Sequence, residues 1–253
     1  MGLHPVSAGF ARAADVYERA RPEYPPEAVI WLADRLGLRP GRVVVDVAAG
    51  TGKLTRLLVP TGARVVAVEP VAEMRRVLRE AVPAAEALEG TAEELALADG
   101  AADAVTAAAA FHWFDRRRAL PELARVLRPR GRLAVVFNTR DPASELQRKL
   151  TELLRPHGRP VAWMRDIDPE AILAESAEFE RPEYAEFRHE QRFDADGLVE
   201  RVASISYVAL LEGREREDFL ARVRELGERQ AESPFAFPYV TQVWVSHASP
   251  GRR

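Results

Sequence analysis

Residues 43–55 read VVVDVAAGTGKLT. A β-branched run, interrupted by Asp46, passes into small residues and then into what looks like the start of a helix. A strand, a tight turn of small residues and a helix are how α/β proteins bring a backbone close to nucleotide-like ligands. A lone Gly-x-Gly also makes an ordinary tight turn, so its surroundings must decide what it does.

Working outward, hydrophobic spacing predicts a helix over 26–36, with Val29, Leu32 and Leu36 sharing a face ahead of Gly37. It then predicts a strand over 42–47, a helix after the glycines and a strand over 64–68. A helix over 71–80 groups Val71, Met74, Val77 and Leu78, and a weak strand follows at 84–88. A strand over 103–111, a helix over 116–127, a turn at Pro129-Arg130-Gly131 and a strand over 132–137 complete the first part. Strands alternating with helices at this spacing imply right-handed crossovers and a mostly parallel sheet. In such sheets ligands bind at the carboxyl ends of the strands, where strand order reverses. After Asp141 the pattern changes to helices near 143–155 and 169–176, a half-exposed strand over 183–193, two helices within 195–229 and a strand over 239–245. Ala185, Phe187, His189, Gln191 and Phe193 take one face of the 183–193 strand. No linker or repeat is evident. The simplest organisation is a single domain over 1–253: an N-terminal cap and first helix (1–40), a ligand-binding core (41–140) and an insertion with the last strands (141–253).

Composition narrows the function. Of 253 residues, 47% are hydrophobic and 30% charged, which suits a globular chain. The net charge of −3 argues against a protein that grips nucleic-acid backbone. Arg116-Arg117-Arg118 opens a helix with Leu120 and Leu123 inward, so the arginines read as a solvated face. The absence of cysteine excludes disulfides, thiolate metal sites and a cysteine nucleophile, and no metal site is expected. Residues 1–25 show no apolar signal core, and Val6 stands where an N-myristoylation motif wants Ser or Thr. No window approaches the ~18 apolar residues of a membrane span. The cytoplasm is the default location, as a monomer or homodimer.

Three ligands can be tested on the loop. A nucleoside triphosphate loop needs glycine where Val47 stands and a hydroxyl where Leu54 stands. A dinucleotide loop needs a third glycine where Thr55 stands, and its pyrophosphate would approach the Asp46 carboxylate. A carboxylate repels pyrophosphate and attracts an ammonium. A ligand with a cationic amino-acid part and an adenosine part, S-adenosylmethionine, meets that requirement. Small residues at Ala48, Ala49, Gly50 and Gly52 admit it. Glu69, 23 residues after Asp46 at the end of the second strand, is placed to accept from ribose hydroxyls.

At this point the chain resembles the class I S-adenosylmethionine-dependent methyltransferases, in particular the small-molecule branch similar to trans-aconitate methyltransferase. The resemblance runs through residues 15–25 (DVYERARPEYP), 43–55, 65–74 (VVAVEPVAEM), 89–97 (EGTAEELAL), 103–115 (DAVTAAAAFHWFD), 122–141 and 238–245. It implies a Rossmann-like, seven-stranded, mostly parallel sheet with helices on both faces, the last strand antiparallel, and a helical lid formed by the insertion and the N-terminal segment. It also implies that Asp46 and the Ala48–Gly52 backbone hold the methionine part, and that Glu69 holds the ribose. Pro70 and Met74 would line the adenine, and Ala92 and Glu93 its edge. Ala109, Ala110 and Phe111 would underlie the sulfonium, while Tyr17 and Arg21 close over the cofactor. Two positions depart from the family pattern. Ala48 replaces a usual glycine, and Thr91 stands where many relatives carry aspartate.

The resemblance further implies methyl transfer to a small-molecule acceptor by in-line displacement. A protonated nucleophile would need a base, for which His112 is the candidate, or else His112 packs in the strand-to-helix turn. His189 and Gln191 are either pocket or core residues, as are Ser204, Ser206 and Tyr207. The alternatives are a non-catalytic, cofactor-binding regulatory module, for which Ala48 is a hint, and an NAD(P)-dependent oxidoreductase, against which Asp46 and Thr55 speak.

Overall fold

The computed structural model describes residues 18–157 and 167–249. Seven strands form one sheet in the order β3-β2-β1-β4-β5-β7-β6. They are β1 (Val43–Val47), β2 (Arg64–Val68), β3 (Glu86–Leu88), β4 (Ala102–Ala108), β5 (Leu127–Arg140), β6 (Glu183–Phe193) and β7 (Phe235–His247). β1 pairs in parallel with β2 and β4, β2 with β3, and β4 with β5. β7 runs the other way. Gly131 meets Ala248, Asn138 meets Thr241, Thr139 meets Val240 and Asp141 meets Pro238, so one chain recedes as the other advances. This is the Rossmann-like arrangement expected, with an antiparallel last strand.

The chain groups into two compact units. The described part of the larger comprises residues 23–138, 167–187 and 241–249. Its strands are buried on both faces, and alternate residues feed separate cores. Val45, Val66, Val105 and Val135 join Leu120 and Leu123 on one side. Val44, Val65, Ala104 and Val136 join Leu32, Leu36 and Leu58 on the other. The period-2 pleat thus gives both sides of the sheet an apolar surface, and helices cover both. These include α1 (Pro26–Leu36), the short α2 (Thr55–Leu58), α3 (Ala72–Ala81), α4 (Arg116–Val126) and α6 (Pro169–Ala174). In α1 it is Ala28, not Val29, that is buried with Leu32 and Leu36.

The smaller unit comprises residues 18–22, 139–157 and 188–240 of the described chain. Its helices are α5 (Glu145–Leu154), α7 (Ala195–Ala203) and α8 (Gly213–Glu228). Leu150, Leu198, Val223, Phe193 and Phe237 centre its own core. Asp194 caps α7 by accepting from the Gly197 amide at 2.8 Å. Among the described residues no helix is long and apolar enough to cross a membrane.

β7 is longer than the predicted 239–245 at both ends, and β4 and β5 also depart from the sequence reading. β4 ends at Ala108, and Phe111 to Trp113 form a 3₁₀ turn instead of extending the strand. The alanine run fixed no boundary because alanine suits either state. β5 begins at Leu127 and runs through the predicted turn. Its pairing passes from Ala102–Leu127 to Ala104–Arg132, so the extra residues bulge outward, with Arg130 at φ 63°.

Candidate functional site

Strand register decides which residues meet. Val47 lies beside Val68, and Asp46 beside Thr106, so the chain leaves β1, β2 and β4 at neighbouring points on one sheet edge. Strand order reverses between β1 and β4. The Ala48–Gly52 loop, Glu69 and Ala109 therefore follow directly on the edge where α/β sheets hold ligands.

Asp46 is 1% exposed. One carboxylate oxygen accepts from Thr55 Oγ1 at 2.6 Å and the other from Thr106 Oγ1 at 2.7 Å. Burial pushes its pKa up from 3.8 to about 6, with the threonine hydrogen bonds partly offsetting that rise. Thr55, the residue that breaks the dinucleotide pattern, is thus the anchor of the loop's acid. Glu69 is also buried. Its two oxygens accept from the Gly50 and Val71 amides, each at 2.8 Å, tying the glycine loop to the start of α3. Burial raises the Glu69 pKa against those two hydrogen bonds and Arg75.

The loop is a run of left-handed residues. Ala48 has φ 54°, Gly50 59° and Gly52 87°. The two glycines differ in what they do. A Cβ on Gly52 would come within 2.9 Å of Val82 Cγ2, so this glycine lets the end of α3 pack close. A Cβ on Gly50 would meet nothing within 4 Å. Space for a ligand therefore lies at Gly50. Beside it, the buried Thr51 hydroxyl has no hydrogen-bond partner among the described residues. Lys53 is paired with Glu23 at 2.6 Å, so it holds the approach to α1 in place.

Arg75 was not singled out by the sequence reading. Its buried guanidinium donates to the Glu69 carbonyl at 2.6 Å, the Pro70 carbonyl at 3.2 Å and the Glu89 carboxylate at 2.7 Å. It sits four residues after Val71 and three before Leu78, on the apolar face of α3, and that placement was its signal. Ala109, after β4, is also left-handed, at φ 53°, and its amide donates to Val136 O at 2.7 Å.

Residues 45–135 match a family described as a methyltransferase domain. An uncharacterised methyltransferase of Mycobacterium tuberculosis is 42% identical over 240 residues, covering 93% of this chain and 94% of that protein. The chain belongs to the class I methyltransferases. A trans-aconitate 2-methyltransferase of Azoarcus is 38% identical over 143 residues, 54% of this chain and 55% of that one. A putative type II methyltransferase of Anaeromyxobacter dehalogenans has the same fold, with a TM-score of 0.61 at 24% identity over 91% of this chain and 97% of that chain.

Within this methyltransferase fold, Asp46, Ala48, Ala49, Gly50, Gly52, Glu69, Pro70, Met74, Ala92, Glu93, Ala109, Ala110, Phe111 and His112 all fall in the larger unit. Met74, Ala92, Ala110 and Phe111 are buried, Phe111 wholly so and edge-on to Phe114. Glu93 accepts from the Asp115 amide at 2.8 Å, ahead of α4. Thr91 and Glu94 bridge each other across a tight turn. His112 lies in the 3₁₀ turn, its ring centroid 5.2 Å from Trp113 and 5.6 Å from Phe137. Arg21 belongs to the smaller unit, where it donates to Ser204 O at 3.2 Å. Tyr17 lies outside the described residues. Ser204 is fully buried and turns its hydroxyl back to Arg201 O at 2.7 Å, a helix-end hydrogen bond.

Proposed function

We propose that this chain is an S-adenosylmethionine-dependent enzyme of the cytoplasm that methylates a small-molecule acceptor. The observation that carries the reading is the Asp46–Glu69 pair: two buried acids, fixed by Thr55, Thr106 and the loop amides, beside a glycine whose Cα opens onto free space. Two carboxylates suit an ammonium and a ribose and oppose a pyrophosphate. The unpartnered Thr51 hydroxyl supports the same fit, since a buried polar group without a partner is costly unless a ligand supplies one. Ala48 adopts the left-handed backbone for which glycine is usual, so the loop is not degenerate, which disfavours a regulatory module.

On this reading Asp46 and the Ala48–Gly52 backbone hold the amino-acid part and Glu69 the ribose. Pro70, Met74, Ala92 and Glu93 border the adenine, and Ala109 to Phe111 border the reacting end. When bound, the cofactor supplies an electrophilic methyl group open to in-line displacement. The chain's own contribution is alignment of the acceptor and exclusion of water. His112, packed against Trp113 and Phe137, is expected to orient this wall, and His112→Gln should leave kcat nearly unchanged. A loss of about 100-fold or more would make it a base.

The test is calorimetry with S-adenosylhomocysteine and with NADH, then turnover on a panel of small metabolites with S-adenosylhomocysteine release as the readout. Binding of S-adenosylhomocysteine and not NADH, with release above background for some acceptor, is expected. Tight NADH binding without S-adenosylhomocysteine binding would overturn the reading.

A further inference from the structure

Strand β6 ends the sheet: β7 is its only strand neighbour among the described residues. One row of its backbone amides and carbonyls therefore faces away from the sheet, a template for a further strand. At 11 residues β6 is a long edge, and it contains no proline, glycine or lysine, residues that commonly blunt one.

The side chains of β6 divide by exposure. Ala185, Phe187, His189, Gln191 and Phe193 are the less exposed set, and Tyr184, Glu186, Arg188, Glu190 and Arg192 are exposed. After Tyr184 the exposed set alternates in sign: acid, base, acid, base. A row of like charges would repel a second copy; an alternating row attracts one in the right register. Two β6 strands laid parallel and in register would set Glu on Glu and Arg on Arg. Laid antiparallel about a twofold axis at Arg188 or Glu190, they would again oppose like charges. With the axis at His189, Arg188 lies opposite Glu190 of the second copy and Glu186 lies opposite its Arg192. The axis repeats both pairs, so two pairs become four opposite-charge contacts beside the backbone ladder. An axis at Phe187 or Gln191 makes only two within the strand.

The present partners of these charges do not compete strongly. Glu190 and Arg192 meet at 3.7 Å and Arg192 and Glu232 at 3.8 Å, with all three side chains exposed. Tyr184 donates to Glu186 at 3.1 Å. Arg188 pairs with Asp141 at 2.5 Å while 65% of its side chain stays exposed, so it can serve a second carboxylate. Surface pairs of this kind hold little energy, and re-pairing across two copies costs little. Every residue of the ladder lies on one continuous strand, so its register is set by the order of residues in β6 alone.

We propose that β6 is a self-association edge: two copies of this chain pair antiparallel through β6, about a twofold axis at His189. The pairing does not depend on the methyl-transfer reading.

Sedimentation equilibrium of the full chain should show a reversible dimer at micromolar concentrations. Glu190→Arg should weaken it about tenfold or more, because two attractive pairs become repulsive, and Glu186→Arg should do the same from the ends of the ladder. Glu217→Arg, the same charge change at an exposed position on α8, should leave the dimer unchanged. Thermal denaturation establishes that each variant folds. The register has its own readout, since the chain contains no cysteine. Under mild oxidation, Arg188→Cys mixed with Glu190→Cys should form a disulfide-linked dimer about tenfold faster than either variant alone, because only the mixture sets two thiols directly opposite. Should either arginine variant fail to fold, the cross-linking decides. A monomer at every concentration, a dimer left intact by both Glu190→Arg and Glu186→Arg, or cross-linking of either cysteine variant alone as fast as the mixture would overturn the proposal.

Discussion

Ala48 sits at φ 54°, where an L side chain crowds the following carbonyl. The neighbouring left-handed positions of the loop are glycines; this one carries a methyl group at the end of β1. Ala48→Gly should relieve the crowding at some cost in unfolded-chain entropy, for a net gain of about 1 kcal/mol. For a chain of this size that is roughly 2–4 °C in Tm, readable by thermal denaturation. A fall in Tm would mean that the Ala48 methyl contributes packing that outweighs the strain. Asp46 tests the ligand at the same scale. Asp46→Ala should weaken S-adenosylhomocysteine binding by about 1–3 kcal/mol, the loss of a charge-assisted hydrogen bond, as measured by calorimetry. Unchanged affinity would assign Asp46 to holding Thr55 and Thr106 alone.

One helix, α3, carries both a structural arginine and a surface one. Arg75 is buried and satisfies the carbonyls of Glu69 and Pro70, the turn that also presents the Glu69 carboxylate. Arg76, next to it, makes an exposed i,i+4 pair with Glu80 at 2.9 Å. Arg75→Ala should cost about 2–3 kcal/mol in urea denaturation, since it strands buried acceptors, and should weaken S-adenosylhomocysteine binding by displacing Glu69. Arg76→Ala should change stability by less than about 0.5 kcal/mol and leave binding alone. Equal effects of the two would refute the clamp. The amphipathic spacing of α3 was legible in the sequence, and so was the position of Arg75 on its apolar face. β1, β2 and the two-faced alternation of β6 were equally legible, because period and branching report them locally. The Thr106–Asp46 hydrogen bond was not, because it depends on β1–β4 register across 60 residues, which no local pattern records. The end of β4 was hidden by its alanines. The bulge in β5 followed from pairing with β4 and not from Pro129-Arg130-Gly131 alone.

The stability of the whole molecule should carry two carboxylate signatures of opposite sign. Asp103 holds the amino-terminal edge of β1: it accepts from the Val43 amide at 2.9 Å, Arg42 at 2.6 Å and Arg128 at 2.8 Å. Burial raises its pKa, but these donors outweigh that and hold it below 3.8, so its contribution is present at higher pH and is lost as pH falls through its folded pKa. Asp46 does the reverse. With a folded pKa near 6 against 3.8 unfolded, the native state binds its proton more tightly. The stability this contributes is complete below 3.8 and is lost as pH rises through about 6. Relative to Asp46→Asn, the ligand-free protein should therefore lose on the order of 3 kcal/mol across that window, seen by urea denaturation at stepped pH. A ligand ammonium reverses the penalty, because it pairs with the ionised carboxylate that burial disfavours. S-adenosylhomocysteine affinity should consequently rise with pH between about 5 and 7 in wild type and stay flat in Asp46→Asn. A wild-type affinity that does not vary with pH over that interval, alongside the expected stability trend, would place the ammonium away from Asp46 and leave this acid as the anchor of β1, β4 and the glycine loop.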